Sequence, residues 1–212
     1  LERLQRSFVV VIGIGAVGSY ATEALARSGL GRLRLVDFDT IKETNFNRHI
    51  LATGPNLGKL KVEAAKERIA QINPRCKVEA VTGFAAVETI DSLIEGGPDL
   101  VIDAVDSLNP KAQILEACFN KKVPVIASMG AALRTDLSSI KSGDLFKTSG
   151  CPLARELRSR LRKRGIEKGI FCVYSDAPVP KGATREPLLN AEEDYDRGRK
   201  RRKMGSLPTV TG

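Results

Sequence analysis

Five consecutive apolar residues, Phe8-Val-Val-Val-Ile12, run directly into a glycine, and two more glycines follow in Gly13-Ile14-Gly15-Ala16-Val17-Gly18. A strand with one wet face alternates polar and apolar positions. An unbroken β-branched run is instead buried on both faces, as in a parallel sheet covered by helices. The glycines allow a tight turn out of the strand and let backbone N–H groups at the start of the next helix approach a phosphate. Val17, Ala21, Ala24 and Leu25 recur at helical spacing up to Arg27, Gly29 and Gly31 supply a stop, and Leu33 to Val36 is a second apolar strand. Residues 8–36 therefore predict one βαβ unit.

The alternation continues. A helix is expected from Lys59 to Ile72, where Asn73-Pro74 forbids continuation. Lys77 to Thr82 reads as a strand, Val87 to Ile94 as a helix, Leu100 to Val105 as a buried strand, Pro110 to Lys121 as a helix and Val123 to Ala127 as a further strand. Strand and helix in strict turn predict an α/β fold, Rossmann-like and doubly wound, with a mainly parallel sheet. Beyond Ser128 the rhythm changes. Leu153, Leu157 and Leu161 give one apolar stripe to an arginine-rich helix, Ile170 to Tyr174 reads as a strand, and the polar, charge-rich stretch from Lys181 to Gly212 is expected to be irregular. A chain of 212 residues holds one such domain with an extension and is too short for two.

Charge is unevenly spread. Residues 1–146 hold 18 Lys/Arg against 17 Asp/Glu, whereas residues 147–212 hold 16 against 8, so the net charge of +9 is almost all C-terminal. Such an excess suits a polyanionic partner or a solvated basic helix and tail. No apolar run approaches the roughly 18 residues of a membrane span, and Leu1-Glu2-Arg3 does not open like a signal peptide, so no membrane association is expected and a cytoplasmic location is the default. The four cysteines lie far apart without a C-x-x-C pair, and the single histidine, His49, cannot build a His-rich metal site. Metal chemistry must rest on carboxylates. Cys172, between Phe171 and Val173, reads as a buried inert thiol, and neither it nor Cys151 is assigned a catalytic role.

Asp37 ends the second strand 19 residues beyond Gly18, where a carboxylate can bond ribose hydroxyls. Those features alone fit a nicotinamide or flavin dinucleotide. The next residues argue otherwise: Asp39 adds a carboxylate, and Asn45, Asn47, Arg48, Lys59 and Lys61 follow closely. A triphosphate with Mg²⁺ needs several cations and a metal-binding carboxylate, whereas a pyrophosphate bridge does not. Asp103 and Asp106 lie at the end of the fourth strand, Asp103 reading as a structural acceptor and Asp106 as the metal candidate.

Taken in order, Gly13-x-Gly15-x-x-Gly18, Asp37-x-Asp39, Thr44-Asn45-x-Asn47-Arg48, Gly58-Lys59-x-Lys61 and Asp103-Ala-x-Asp106-Ser107 resemble the adenylating domain of the E1-like (ubiquitin-activating and ThiF-type) superfamily. The resemblance implies ATP and Mg²⁺ as cofactors, with Gly13, Gly15, Ala16, Val17 and Gly18 around the phosphates and Asp37 on the ribose. Asp39 and Asp106 would serve the metal, and Asn45, Arg48 and Lys61 the triphosphate, with Arg48, Lys61 and Asp106 acting in catalysis. Residues 1–146 would form the adenylating domain and residues 147–212 a basic extension. Ala24 to Gly31, Ala127 to Ala131, Asp144 to Thr148 and Pro152 to Arg155 are similar to the dehydratase branch, which activates the threonyl carboxylate of a modified adenosine in tRNA. Departures are Cys151, where an aspartate is expected, Ala177 in place of a glutamate, and His49 where glutamine often follows the arginine.

The resemblance thus implies a tRNA-modifying cyclase acting as a homodimer. Two other readings stay open: an activator of a ubiquitin-like sulfur carrier, with a carrier or sulfur-transfer protein as partner, and a nucleotide-sensing module without catalysis.

Overall fold

The computed structural model describes residues 1–178, together with the backbone of residues 195–196 and 199–200. A short helix, α1 (Glu2–Arg6), precedes β1 (Phe8–Ile12), α2 (Ala16–Arg27) and β2 (Arg32–Val36). After two single 3₁₀ turns come α3 (Lys61–Ile72), β3 (Lys77–Val81), the one-turn α4 (Ile90–Leu93), β4 (Leu100–Asp103), α5 (Leu108–Asn120) and β5 (Val125–Ser128). Then follow β6 (Ile140–Asp144), α6 (Pro152–Arg162) and β7 (Phe171–Ser175), and two short strands, β8 (Tyr195–Asp196) and β9 (Arg199–Lys200), pair antiparallel. The remainder of the Lys181 to Gly212 stretch lies outside the described residues.

The strands form one seven-stranded sheet in the order β3-β2-β1-β4-β5-β7-β6, parallel except where β6 pairs antiparallel with β7. Chain order reverses between β1 and β4, the switch point at which doubly wound sheets open a crevice. Every residue of β1 is buried, as its unbroken run requires. One core layer packs β1 and β2 against α2 and α3 through Val9, Val11, Leu33, Leu35, Val62 and Ile69. The other packs Val10, Ile12, Val101 and Ala127 against α5 and α6 through Ile114, Leu115, Leu157 and Leu161. Both α6 and β7, from the charge-rich part of the chain, belong to this same core and sheet.

Three local features differ from the expectation. Val17 and Ala24 are not on the buried face of α2; Gly18, Ser19, Thr22 and Ala26 are, because small side chains let the helix lie close to the strands. The fourth helix is one turn and leaves Val87 exposed. β6 was not foreseen, since Ile-Lys-Ser-Gly-Asp has neither alternation nor an apolar run; it is an edge strand held by its pairing to β7.

Candidate nucleotide site

Register brings the carboxyl ends of the strands level. Ile12 lies beside Val36 and Asp103, Val36 beside Val81, and Asp103 beside Ala127. The loops carrying Gly13, Asp37 and Ala104 to Asp106 therefore emerge side by side at the switch point.

The three glycines have separate reasons. Gly13 has φ +90°, and a Cβ there would stand 2.9 Å from the Ala104 carbonyl, so the first loop and the β4–α5 loop can touch only through a glycine. A Cβ on Gly18 would stand 1.8 Å from the Gly13 carbonyl oxygen, which forces close packing of helix on strand. A Cβ on Gly15 would meet nothing within 4 Å. Gly15 is the N-cap of α2 and carries no side-chain cap, so this open space lies where the helix N-terminus favours an anion, beside Ala16 and the exposed Val17.

Asp37 is buried and its carboxylate organises the turn: Oδ2 accepts the Ile14 N–H at 2.7 Å and Oδ1 accepts the Asp39 N–H at 2.8 Å. Each oxygen keeps a second lone pair for a hydroxyl. Beyond it the chain pairs back on itself, Ile41 N–H to Lys59 carbonyl at 2.8 Å and Lys61 N–H to Asp39 carbonyl at 3.0 Å, with Gly58 at φ +81° making the turn. This pairing delivers Lys61, the first residue of α3, to Asp39: Nζ lies 2.8 Å from Asp39 Oδ2 and 3.9 Å from Asp37 Oδ1. Lys61 is buried, whereas Asp39 is half exposed.

Between these paired segments sit Asn45, Arg48 and His49. Asn45 accepts the Lys42 N–H through Oδ1 at 3.0 Å and so shapes its own 3₁₀ turn. Half-buried Arg48 donates to the Thr44 carbonyl at 2.6 Å and to Asn47 Oδ1 at 3.0 Å, both from the same guanidinium nitrogen. His49 is buried; its Nε2 stands 2.6 Å from the Ile14 carbonyl oxygen, and its Nδ1 accepts the Leu51 N–H at 3.1 Å.

On the other side of the switch point Asp106 is exposed in the loop after β4. Beneath it Asp103 and Lys111 form a fully buried ion pair, Nζ to Oδ2 at 2.7 Å, and Asp103 also accepts the Val105 N–H at 3.1 Å. Burial pushes the Asp103 carboxyl up, against the opposing pull of Lys111 and of the Val105 N–H. Sequence reasoning foresaw Asp103 as structural but missed Lys111. The signal was present: a lysine in helical register with Leu115 and Cys118 sits on the apolar face of α5 and needs a carboxylate.

The thiols are remote from this chemistry in character. All four cysteines are unbridged, and burial pushes the Cys172 thiol up to about 11 and the Cys118 thiol up to about 12. Arg3 and Arg6 lie on α1, before the amino end of β1 and hence at the sheet edge opposite the glycine loop.

The tRNA threonylcarbamoyladenosine dehydratase of Bacillus subtilis is 45% identical over 176 residues, 83% of this chain and 69% of that protein. The tRNA threonylcarbamoyladenosine dehydratase 2 of Saccharomyces cerevisiae is 37% identical over 202 residues, 94% of this chain but 45% of that protein, so the chain spans less than half of the yeast relative. Among solved structures, the E. coli tRNA N6-threonylcarbamoyladenosine dehydratase in complex with ATP superposes with a TM-score of 0.83 at 39% identity, covering 85% of this chain and 77% of that one. The ThiF family model matches residues 1–211, and the chain belongs to the ThiF family.

Proposed function

We propose that this chain is an ATP-dependent tRNA threonylcarbamoyladenosine dehydratase. It adenylates the threonyl carboxylate of N6-threonylcarbamoyladenosine in tRNA and lets that modification close on itself. A carboxylate oxygen attacks the α-phosphorus of ATP and pyrophosphate leaves. A nucleophile within the same modification then attacks the acyl carbon, AMP leaves with the bridging oxygen, and the product has lost one water. The observation that carries this reading is the open cradle at Gly15, level with Asp37, Asp39 and Lys61, in a chain similar to such dehydratases, one of them solved with ATP.

In this reading Ala16, Val17 and Gly18 present the helix amides to the phosphates and Asp37 receives the ribose. Lys61 supplies charge beside the β- and γ-phosphates, held ready by Asp39, and Asn45 and Arg48 face the leaving pyrophosphate. The donor set also fits Mg²⁺. Among the described residues no group of three or more His, Cys, Asp or Glu could hold a metal alone, and a cation bound by one or two carboxylates together with the nucleotide's phosphates requires none. Asp39 and Asp106 would hold it, where it would neutralise charge on the phosphate oxygens.

Homodimer formation belongs to the same reading. Ile126 and Phe171 share the sheet face of Val11 and Ile102; α2 and α3 cover that face over β1 and β2, whereas Phe171, Val173 and Ile140 are exposed at its far side. A second copy of the chain would cover this apolar strip. No helix among the described residues is long and apolar enough to cross a membrane. A cytoplasmic location belongs to the proposal through its tRNA substrate.

The reading is tested by pyrophosphate release from ATP in the presence of bulk tRNA, of a ubiquitin-like carrier protein, or of neither. Release that requires tRNA is expected. Release that requires the carrier would replace this reading by the sulfur-carrier one, and nucleotide binding without release under all three conditions would leave a sensor.

A further inference from the structure

We propose that His49 is a positioning residue for the phosphate loop: it fixes the Ile14–Gly15 peptide so that the Gly15 amide is aimed at the phosphates, and it ties this loop to the segment carrying Arg48. The proposal rests on the ATP-binding reading above. The tautomer follows from the partners. Nδ1 accepts the Leu51 N–H at 3.1 Å and therefore carries no proton, so Nε2–H is the donor to the Ile14 carbonyl at 2.6 Å. On its other side Ile14 gives its own N–H to Asp37 at 2.7 Å. Both peptide groups flanking Ile14 are thus held from within the protein.

In a planar trans peptide the carbonyl and the following N–H point in opposite directions. With the Ile14 carbonyl held toward the buried imidazole, the Gly15 N–H is turned away from it, at the position where the surroundings are open to a ligand. The ring itself belongs to the Arg48 segment, whose backbone is fixed by the His49 N–H bonding the Asn45 carbonyl at 2.9 Å and the Arg48 N–H bonding the same carbonyl at 3.1 Å. The two nitrogens have opposite roles, so only the neutral ring serves. Burial favours that neutral form, with Lys61 and Arg48 acting in the same direction and Asp37 and the Ile14 carbonyl opposing them.

The test compares two substitutions in the full chain. His49→Leu keeps apolar volume and removes both bonds; His49→Gln offers an amide N–H for Ile14 and a carbonyl oxygen for Leu51. Binding of ATP and of adenosine, which has no phosphate, is measured by calorimetry. His49→Leu should weaken ATP by about 10- to 100-fold, the scale of a lost hydrogen bond to a charged group, and leave adenosine affinity unchanged. His49→Gln should restore most of the ATP affinity. Parental ATP affinity in His49→Leu, or an equal loss for adenosine, would overturn the proposal. Should His49→Leu fail to fold, nitrogen NMR of the single histidine in the parent decides instead, with a neutral Nε2–H tautomer expected and a protonated or Nδ1–H ring contradicting the proposal. Failure of the parent itself to bind ATP would overturn the nucleotide reading, and is recognised by its appearance before any substitution.

Discussion

Replacing Lys111 by Met should be among the most damaging single changes in the core. The ammonium and the Asp103 carboxylate are both wholly inaccessible to solvent and 2.7 Å apart, so Lys111→Met leaves a carboxylate with no cation and no water. Breaking a buried pair from one side typically costs about 3–5 kcal/mol. For a domain of this size that lowers the melting temperature by roughly 10 °C. The sign of the second substitution is the informative part. Asp103→Asn keeps an acceptor for the Val105 N–H while removing the charge, so Asp103→Asn/Lys111→Met should be more stable than Lys111→Met alone, by about 2 kcal/mol. Urea unfolding of the parent, both single variants and the double variant at neutral pH measures the coupling. A cost below about 1 kcal/mol for Lys111→Met, or a double variant less stable than Lys111→Met, would refute the reasoning. The variants that fold should also bind ATP more weakly, since the pair anchors the loop that carries Asp106 and touches Gly13.

Four further outcomes are expected. Arg48→Ala should lower the pyrophosphate-forming rate roughly a hundredfold at saturating ATP, with Arg48→Lys recovering only part of it, whereas Asp37→Ala should mainly raise the Michaelis constant for ATP; rate profiles over ATP concentration separate the two. Cys172→Ser should still form cyclised product, because an acyl-adenylate attacked from within its own substrate needs no enzyme thioester, and product analysis of the folded variant checks this. Neutralising Arg155, Arg162 and Lys163, exposed cations on α6 and just past its end, should weaken tRNA binding and flatten its salt dependence, as followed by filter binding; Arg158, bonded to Thr148, and Arg164, paired with Glu116, should matter less. His49, held below its ordinary value of 6.5 chiefly by burial, should take up a proton on unfolding, so stability is complete above that value and falls as pH drops below it toward the lowered folded value; urea unfolding between neutral and mildly acid pH should show this slope diminished in His49→Gln.

The legible parts of the fold are those where local pattern and tertiary environment agree. Phe8 to Ile12 reads as a doubly buried strand because it is one, and the glycine spacing carries the turn chemistry with it. Where packing overrides pattern, reading fails. On α2 the larger apolar Val17 faces outward and the small Gly18, Ser19, Thr22 and Ala26 face the sheet, because close approach outweighs side-chain hydrophobicity there. In the candidate site, single residue types were recognisable but partnerships were not. That Lys61 reaches Asp39 depends on the pairing of residues 39–41 with 58–61, and that His49 reaches Ile14 depends on a contact across 35 residues, neither of which leaves a periodicity in the chain.

The central claim, acyl-adenylate formation on tRNA followed by internal closure, is tested most directly by following an oxygen atom. The tRNA substrate is prepared with both oxygens of the threonyl carboxylate as a heavy isotope, incubated with the chain and ATP, and the nucleotide products and digested tRNA nucleosides are weighed by mass spectrometry. Attack of the carboxylate on the α-phosphorus leaves its oxygen on AMP, so AMP should carry one heavy oxygen for each nucleoside that has lost one water, and pyrophosphate should carry none. Label in inorganic phosphate or pyrophosphate, or a dehydrated nucleoside formed with unlabelled AMP, would contradict the account.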